Sequence, residues 1–276
     1  SPEFAPFWAQ KWGDLLRLTP ERLTSGGAHK LNQWLIRAFR QNKPYDTFVQ
    51  DLITASGSTL HNPPTNYYRA AADMGDALET TAQIFLGSRL ACAKCHNHPF
   101  ERWTQDRYYG LGAVFNRVER QPGPRAGELF ITVARQGEVT QPRTGQIMQP
   151  WLPGKGFVET PPGEDRRHVF ARWLTARDNQ WFAKVEANRL WAAVMGRGIV
   201  EPIDDFRDSN PPSNAALLDA LAEDFAKGGF DRRRLLRLIL NSRTYQSSAR
   251  TNVFNQDDEH LFSHYRPHLL TAEQLL

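Results

Sequence analysis

The chain has 276 residues, 40% of them hydrophobic and 23% charged, with a mean hydropathy of −0.57. That is globular composition, long enough for one large or two modest cores, and it excludes a disordered or collagen-like chain. Thirty-four basic and 30 acidic residues leave a net charge of +4, spread along both halves, which does not select nucleic acid as a partner.

Apolar residues recur at helical spacing from the start: Phe7, Trp8, Trp12, Leu15, Leu16 and Leu18, then Leu31, Trp34, Leu35, Ala38 and Phe39. Lys43-Pro44 stops the second helix, and Tyr45, Phe48, Val49, Leu52 and Ile53 predict a short third one. Ser56 to Pro64 is turn-rich and reads as a loop. A further helix is expected from Asp76 to about Cys95, and another over Thr104 to Phe115. From Gln121 to Gly163 the chain is rich in proline and glycine and holds one alternating segment, Leu129 to Val133, so it reads as a connector with a few short strands. Helical periodicity returns after Glu164, with stripes at Phe170/Trp173/Leu174, Phe182/Val185/Leu190/Trp191/Val194, Leu217/Leu218/Leu221/Phe225 and Leu235/Leu236/Ile239/Leu240; Ser213 and Asn214 are candidate N-caps. The expected architecture is mainly α: a helical domain over 4–120, a connector over 121–163 with short β-strands, and a second helical domain over 164–276. The opening Ser1-Pro2-Glu3-Phe4 reads as a vector remnant, and the chain stops at Leu275-Leu276 inside an expected helix, so a piece of a longer protein is expected. No window approaches the roughly 18 apolar residues that span a membrane.

One constellation carries chemistry. The chain has two cysteines, which excludes a disulfide-rich scaffold, and they stand in Cys92-Ala93-Lys94-Cys95-His96, the C-x-x-C-H signature of c-type haem attachment. Two thiols on one turn add across the two vinyl groups of a single porphyrin, and the adjacent histidine is the proximal iron ligand. Chance is a poor source of this spacing: two cysteines landing three apart in such a chain is on the order of 1 in 100, before the histidine is counted. Other chemistry shares it. Cys92, Cys95, His96 and His98 together have the ligand types of a Cys2His2 zinc site. A thioredoxin-like dithiol is a third alternative, although the preceding strand is missing. For a distal ligand to haem, Met148 in the irregular connector ranks first and His61 in the proline-rich loop second; Met195 reads as core filler, and His98 lies too close to His96 to reach the opposite face.

The stretch Asn62 to Phe115 resembles the planctomycete cytochrome-like domain family (domain of unknown function 1549). Its pattern F-L-G-x-x-x-x-C-A-x-C-H-x-H-x-F, followed by Gln-Asp-x-Tyr-Tyr, is met here by Phe85 to Phe100 and by Gln105 to Tyr109. Asp165 to Leu276 resembles the usual downstream companion (domain of unknown function 1553), on the run Trp173 to Phe206 that includes Asn188, Arg189, Trp191, Gly196, Arg197, Gly198, Glu201, Asp204, Asp205 and Phe206. The chain thus reads as the C-terminal part of the first domain followed by the N-terminal part of the second. The resemblance implies an exported, cytochrome-like protein and supplies no reaction. Together with the motif it sets the expectation of haem c, a periplasmic or exported location, and a redox partner protein or other exported partner.

Weaker signals have plainer readings. Glu201, Asp204, Asp205 and Asp208 fit no EF-hand spacing and are expected to cap the next helix and pair with Arg197 or Arg207. Arg232-Arg233-Arg234 with interleaved leucines predicts an amphipathic helix with a solvated basic face rather than a nucleic-acid helix. Trp103, Tyr108 and Tyr109 follow the cysteine motif closely, so they are candidates to pack on a porphyrin or to form a saccharide platform for a polysaccharide-directed redox enzyme; core packing is the simpler reading. Phosphate-loop, nucleophile-elbow and H-E-x-x-H signatures are missing from the sequence.

Overall fold

The computed structural model of the chain describes residues 1–267 and 269. The helix expected around Leu275-Leu276 lies outside the described residues. The architecture is mainly α with short antiparallel strands, as the periodicity predicts. The helices are α1 (Phe4–Leu15), α2 (Pro20–Arg40), α3 (Tyr45–Ile53), α4 (Asn66–Ala70), α5 (Met74–Leu86), α6 (Gln105–Gly112), α7 (Arg166–Leu174), α8 (Gln180–Met195), α9 (Ala215–Lys227) and α10 (Arg232–Leu240). The strands are β1 (Gly57–Ser58), β2 (Val118–Pro122), β3 (Leu129–Val133), β4 (Val139–Thr140), β5 (Ile147–Met148), β6 (Trp151–Leu152) and β7 (Gly156–Phe157). Among the described residues no helix is long and apolar enough to cross a membrane.

The chain divides into two compact units: Ser1–Ile84 with Arg89–Asn179, and Phe85–Ser88 with the chain from Gln180 onward. The segment 121–163 and α7 therefore belong to the first unit. In that unit the core is aromatic. Trp12 is fully buried, with Phe48 edge-on at 4.9 Å and Tyr45 at 5.8 Å, and Trp34 stacks on Phe48 at 5.0 Å. Such pairs add about 0.5–1.5 kcal/mol each beyond burial. The fully buried Arg167 of α7 is neutralised by Asp165 (2.8 Å), donates to the Ala55 carbonyl (2.8 Å) and Ser56 Oγ (2.7 Å), and lies 4.9 Å from the centroid of the Tyr68 ring.

The Ser56–Pro64 stretch, expected as a loop, carries β1. It pairs with β3, so the sheet order is β1-β3-β2, with Gly57 opposite Ile131 and Arg120 opposite Ile131 on the other edge. Two further hairpins, β4–β5 and β6–β7, pack on α6.

The second unit packs α8 against α9 and α10. Phe230 joins them, edge-on to Phe182 at 5.4 Å and to Phe225 at 5.3 Å. Helix α8 is buried around most of its circumference, which places polar residues inside. Asn188 exchanges two hydrogen bonds with the backbone of Val200 (2.9 and 3.0 Å), and buried Glu186 pairs with Arg189. Asn214 caps α9 by accepting from the Leu217 N–H at 3.0 Å, as the sequence predicts. The acidic run does not cap that helix: Asp205 pairs with Arg207 at 2.9 Å, and Glu201 accepts from the Gly198 N–H at 2.9 Å. The basic face of α10 is not wholly solvated either. Arg232 is buried, and Arg234 makes a bidentate pair with Asp224 at 2.7 Å. Consecutive residues on a helix are about 100° apart, so a run of three cannot share one face.

Candidate functional site

Helix α5 does not run on to Cys95. It stops at Leu86 because Gly87 takes a left-handed conformation (φ +61°), and the cysteines sit in a separate 3-10 turn, Ala91–Lys94. Around Gly87 there is no room for a side chain: a Cβ there would lie 2.5 Å from Phe206 Cδ2 and 3.0 Å from Val185 Cγ2. The Phe206 N–H donates to the Gly87 carbonyl at 2.7 Å. This is the physical content of the glycine in the F-L-G motif.

In the 3-10 turn the Cys92 carbonyl accepts from the N–H groups of Cys95 (3.3 Å) and His96 (3.4 Å), so both thiols and the imidazole belong to one turn. Only Ala93 of the five is buried; Cys92 and Cys95 are exposed free thiols, and His96 is exposed.

The turn rests on α6. Gln105 is buried, and its Nε2 donates to the carbonyls of Lys94 (3.0 Å) and Cys95 (3.2 Å). The hydroxyl of Tyr109 donates to the same Lys94 carbonyl at 3.2 Å. The Gln105 N–H donates to Asn97 Oδ1 at 2.9 Å, so Asn97 ties the chain just after the turn to the start of the helix. From the β4–β5 hairpin, buried Gln141 donates through Nε2 to Gln105 Oε1 (3.1 Å) and Asp106 Oδ1 (3.0 Å). Tyr108 is buried and donates to Glu79 at 2.7 Å. Burial, with Glu79 beside it, holds its hydroxyl well above the usual tyrosine range, so it stays a donor.

The two histidines of the motif are in different states. His96 Nδ1 lies 2.7 Å from the Asn97 carbonyl, which only accepts; Nδ1 therefore carries the proton, and Nε2 presents a lone pair. His98 is the reverse. Its Nδ1 accepts from the N–H groups of Phe100 (3.3 Å) and Glu101 (3.1 Å), which leaves the proton of the neutral ring on Nε2. The His98 N–H donates to the Trp103 carbonyl at 2.8 Å, so this residue closes the 98–103 loop. Among the described residues no group of three or more His, Cys, Asp or Glu side chains is arranged to hold a metal ion.

The other expected residues are elsewhere. Met148 is not in a loop but in β5, opposite Val139, and is buried in an apolar cluster with Ala113, Val139, Met74 and Tyr109. Of that cluster, Tyr109 is the residue that also bonds to the cysteine turn, through the Lys94 carbonyl. His61 is exposed and faces Arg125, with Nε2 at 3.2 Å from Nη1. The aromatic residues pack on one another. Trp103 meets Trp151 edge-on at 6.0 Å, and Arg107 covers the Trp151 ring at 5.4 Å. Phe157 lies opposite Trp151 in the β6–β7 pairing and is 63% exposed; Phe100, in the loop closed by His98, is 80% exposed. The spacing of the motif points to the cysteines and His96 but not to Asn97, Gln105 or Gln141, whose roles arise from hydrogen bonds between distant parts of the chain. The one sequence signal for Gln105 is its place in the Gln-Asp-x-Tyr-Tyr element.

These features define a class: a mainly helical protein that displays a C-x-x-C-H turn on a hydrogen-bonded helical platform. Family models place the chain further. Residues 1–120 match PSCyt2, a protein of unknown function (DUF1549), and residues 166–276 match PSD1, a protein of unknown function (DUF1553). The chain belongs to this pair of families, joined in that order. Residues 121–165 fall outside both matches. No curated protein and no solved structure matches the chain significantly.

Proposed function

We propose that this chain is a c-type haem-binding domain of an exported protein, acting in electron transfer or redox support to a partner protein. Cys92 and Cys95 would hold the haem through thioether links, and His96 would ligate its iron through Nε2. The observation that carries this reading is the His96 ring. Its Nδ1 lies 2.7 Å from the Asn97 carbonyl, which can only accept, so the neutral ring keeps Nε2 free for a metal.

The rest of the site fits the group. Both thiols are exposed on the same turn as His96, and the loop that follows carries Phe100, which is exposed, and Trp103, which is edge-on to Trp151. When bound, haem supplies one-electron exchange at iron, with a potential set by the axial ligands and burial. The chain's own part is to hold the thiols and His96 in place and to orient the ring by the Asn97 carbonyl.

The zinc alternative needs Cys92, Cys95, His96 and His98 as joint ligands. His98 would first have to give up the Phe100 and Glu101 N–H groups, and the described residues contain no ready cluster. The test is a haem stain on a denaturing gel, with protein exported to a periplasm in which the c-type maturation machinery is co-expressed. A stained band at 31.5 kDa that vanishes in the Cys92→Ser/Cys95→Ser variant is expected. Folded, exported protein with no stain would overturn the reading, and elemental analysis for zinc would decide the alternative.

A further inference from the structure

We propose that Gln105, backed by Gln141, is the positioning residue of the C-x-x-C-H site, and that the segment outside both family matches completes the site by supplying Gln141. The proposal rests on the haem reading above for its purpose, but not for its geometry.

Gln105 is the first residue of α6 and holds the motif at both ends. Its side chain donates to the Lys94 and Cys95 carbonyls inside the turn, and its N–H fixes the Asn97 side chain just beyond it. Asn97 is the residue whose carbonyl sets the His96 tautomer. A buried amide that makes this many bonds is oriented only if its own oxygen is satisfied, and the donor for that oxygen is Gln141 Nε2.

Gln141 is held in turn by the β4–β5 turn. Its Oε1 accepts from the N–H groups of Arg143 (2.6 Å) and Thr144 (2.8 Å). The result is a relay from the exposed 142–146 turn through two buried glutamines to the Cys95 carbonyl. Packing alone does not call for an amide at either position. Both glutamines are buried, and an apolar side chain of similar size would fill either place without the desolvation cost.

The experiment uses the haem-free chain, with and without two substitutions. Gln105→Met removes both donations to the turn at nearly constant volume. Gln141→Glu keeps the acceptor for Arg143 and Thr144 but loses the donor to Gln105. Amide hydrogen exchange is read at Cys95 and His96, with α1 amides as controls, and the His96 tautomer is read from its ring nitrogen chemical shifts. Two lost bonds of ordinary net strength correspond to about thirty-fold faster exchange. That increase is expected at Cys95 and His96 in Gln105→Met, together with a mixture of His96 tautomers. A change in the same direction is expected in Gln141→Glu, where a carboxylate oxygen meets the Gln105 and Asp106 oxygens instead of a donor, with α1 unaffected in both. Exchange and tautomer unchanged in both variants, with the far-ultraviolet circular dichroism of the wild type, would overturn the proposal. Should Gln105→Met fail to fold, Gln141→Glu alone decides it, by whether the Cys95 and His96 amides respond. A haem stain missing from the wild type would overturn the haem reading separately, since the exchange result does not depend on haem.

Discussion

His98 distinguishes the two metal chemistries that share this motif, and replacing it gives opposite outcomes under each. In His98→Ala the N–H groups of Phe100 and Glu101 lose their acceptor. Phe100 is exposed and Glu101 half-buried, so water takes over much of the lost bonding, and each bond counts near the low end of its usual range, about 0.5 kcal/mol. The sum, about 1 kcal/mol, corresponds to about five-fold faster amide exchange at Phe100 and Glu101. Haem attachment depends on Cys92, Cys95 and His96 and is expected to continue, so the stained band keeps its intensity. His98→Asn is expected to restore most of the protection, because an asparagine side-chain oxygen accepts from N–H groups two or three residues on. A Cys2His2 site would instead lose its metal in both variants. The reasoning is refuted if folded His98→Ala loses the haem stain, or if its Phe100 and Glu101 amides exchange at the wild-type rate.

Two further predictions concern the frame. Gly87→Ala places a side chain in a left-handed conformation, at about 1–2 kcal/mol, and against Phe206 and Val185, where overpacking typically costs about 1–3 kcal/mol. The urea midpoint of the second unit is expected to fall by at least about 1 M, and a midpoint within error of the wild type would contradict the packing described. Burial raises Tyr68 from the usual tyrosine range to about 12, with the Arg167 guanidinium opposing the shift. The folded chain therefore holds this proton more tightly than the unfolded one. The resulting stabilisation is complete below about pH 10 and is lost as pH rises through about 12, in all about 3 kcal/mol. Tyr68→Phe forfeits the bond to the Ile53 carbonyl (2.6 Å) but flattens the alkaline decline in urea stability; a decline as steep as that of the wild type would remove Tyr68 as its source.

The helices are legible in the sequence because their stripes are apolar at helical spacing, and the Asn214 cap because its chemistry is local. The cysteine turn is legible as a spacing but not as a 3-10 turn: the helical periodicity of Leu78, Phe85 and Leu90 runs across Gly87, and only the left-handed backbone there, walled by Phe206 and Val185, shows where the helix ends. Strands of two residues have no periodicity to read, so β5 looks irregular in the sequence, and Met148 looks like a free loop residue when its side chain is core. The buried position of Arg232 and the Gln105–Gln141 bond are set by tertiary packing. In the second case the partners stand 36 residues apart, and neither glutamine belongs to a motif with a chemical reputation.

Covalent attachment and tuned ligation place opposite demands on the same few residues. The thiols must be reachable by a large planar reactant, while the histidine must hold one tautomer and one orientation. Under the haem reading proposed above, the two demands would fall on different atoms of this chain. The side chains of Cys92, Cys95 and His96 face solvent, whereas the surrounding backbone is bound inward: the Lys94 and Cys95 carbonyls to Gln105, the Cys92 carbonyl to the turn itself, and the Asn97 carbonyl to the imidazole. A reactive group carried on a rigid main chain loses little conformational freedom when it reacts. The groups that bond directly to the turn carbonyls are uncharged: Gln105 and Tyr109 orient them at short range without placing a formal charge against the turn.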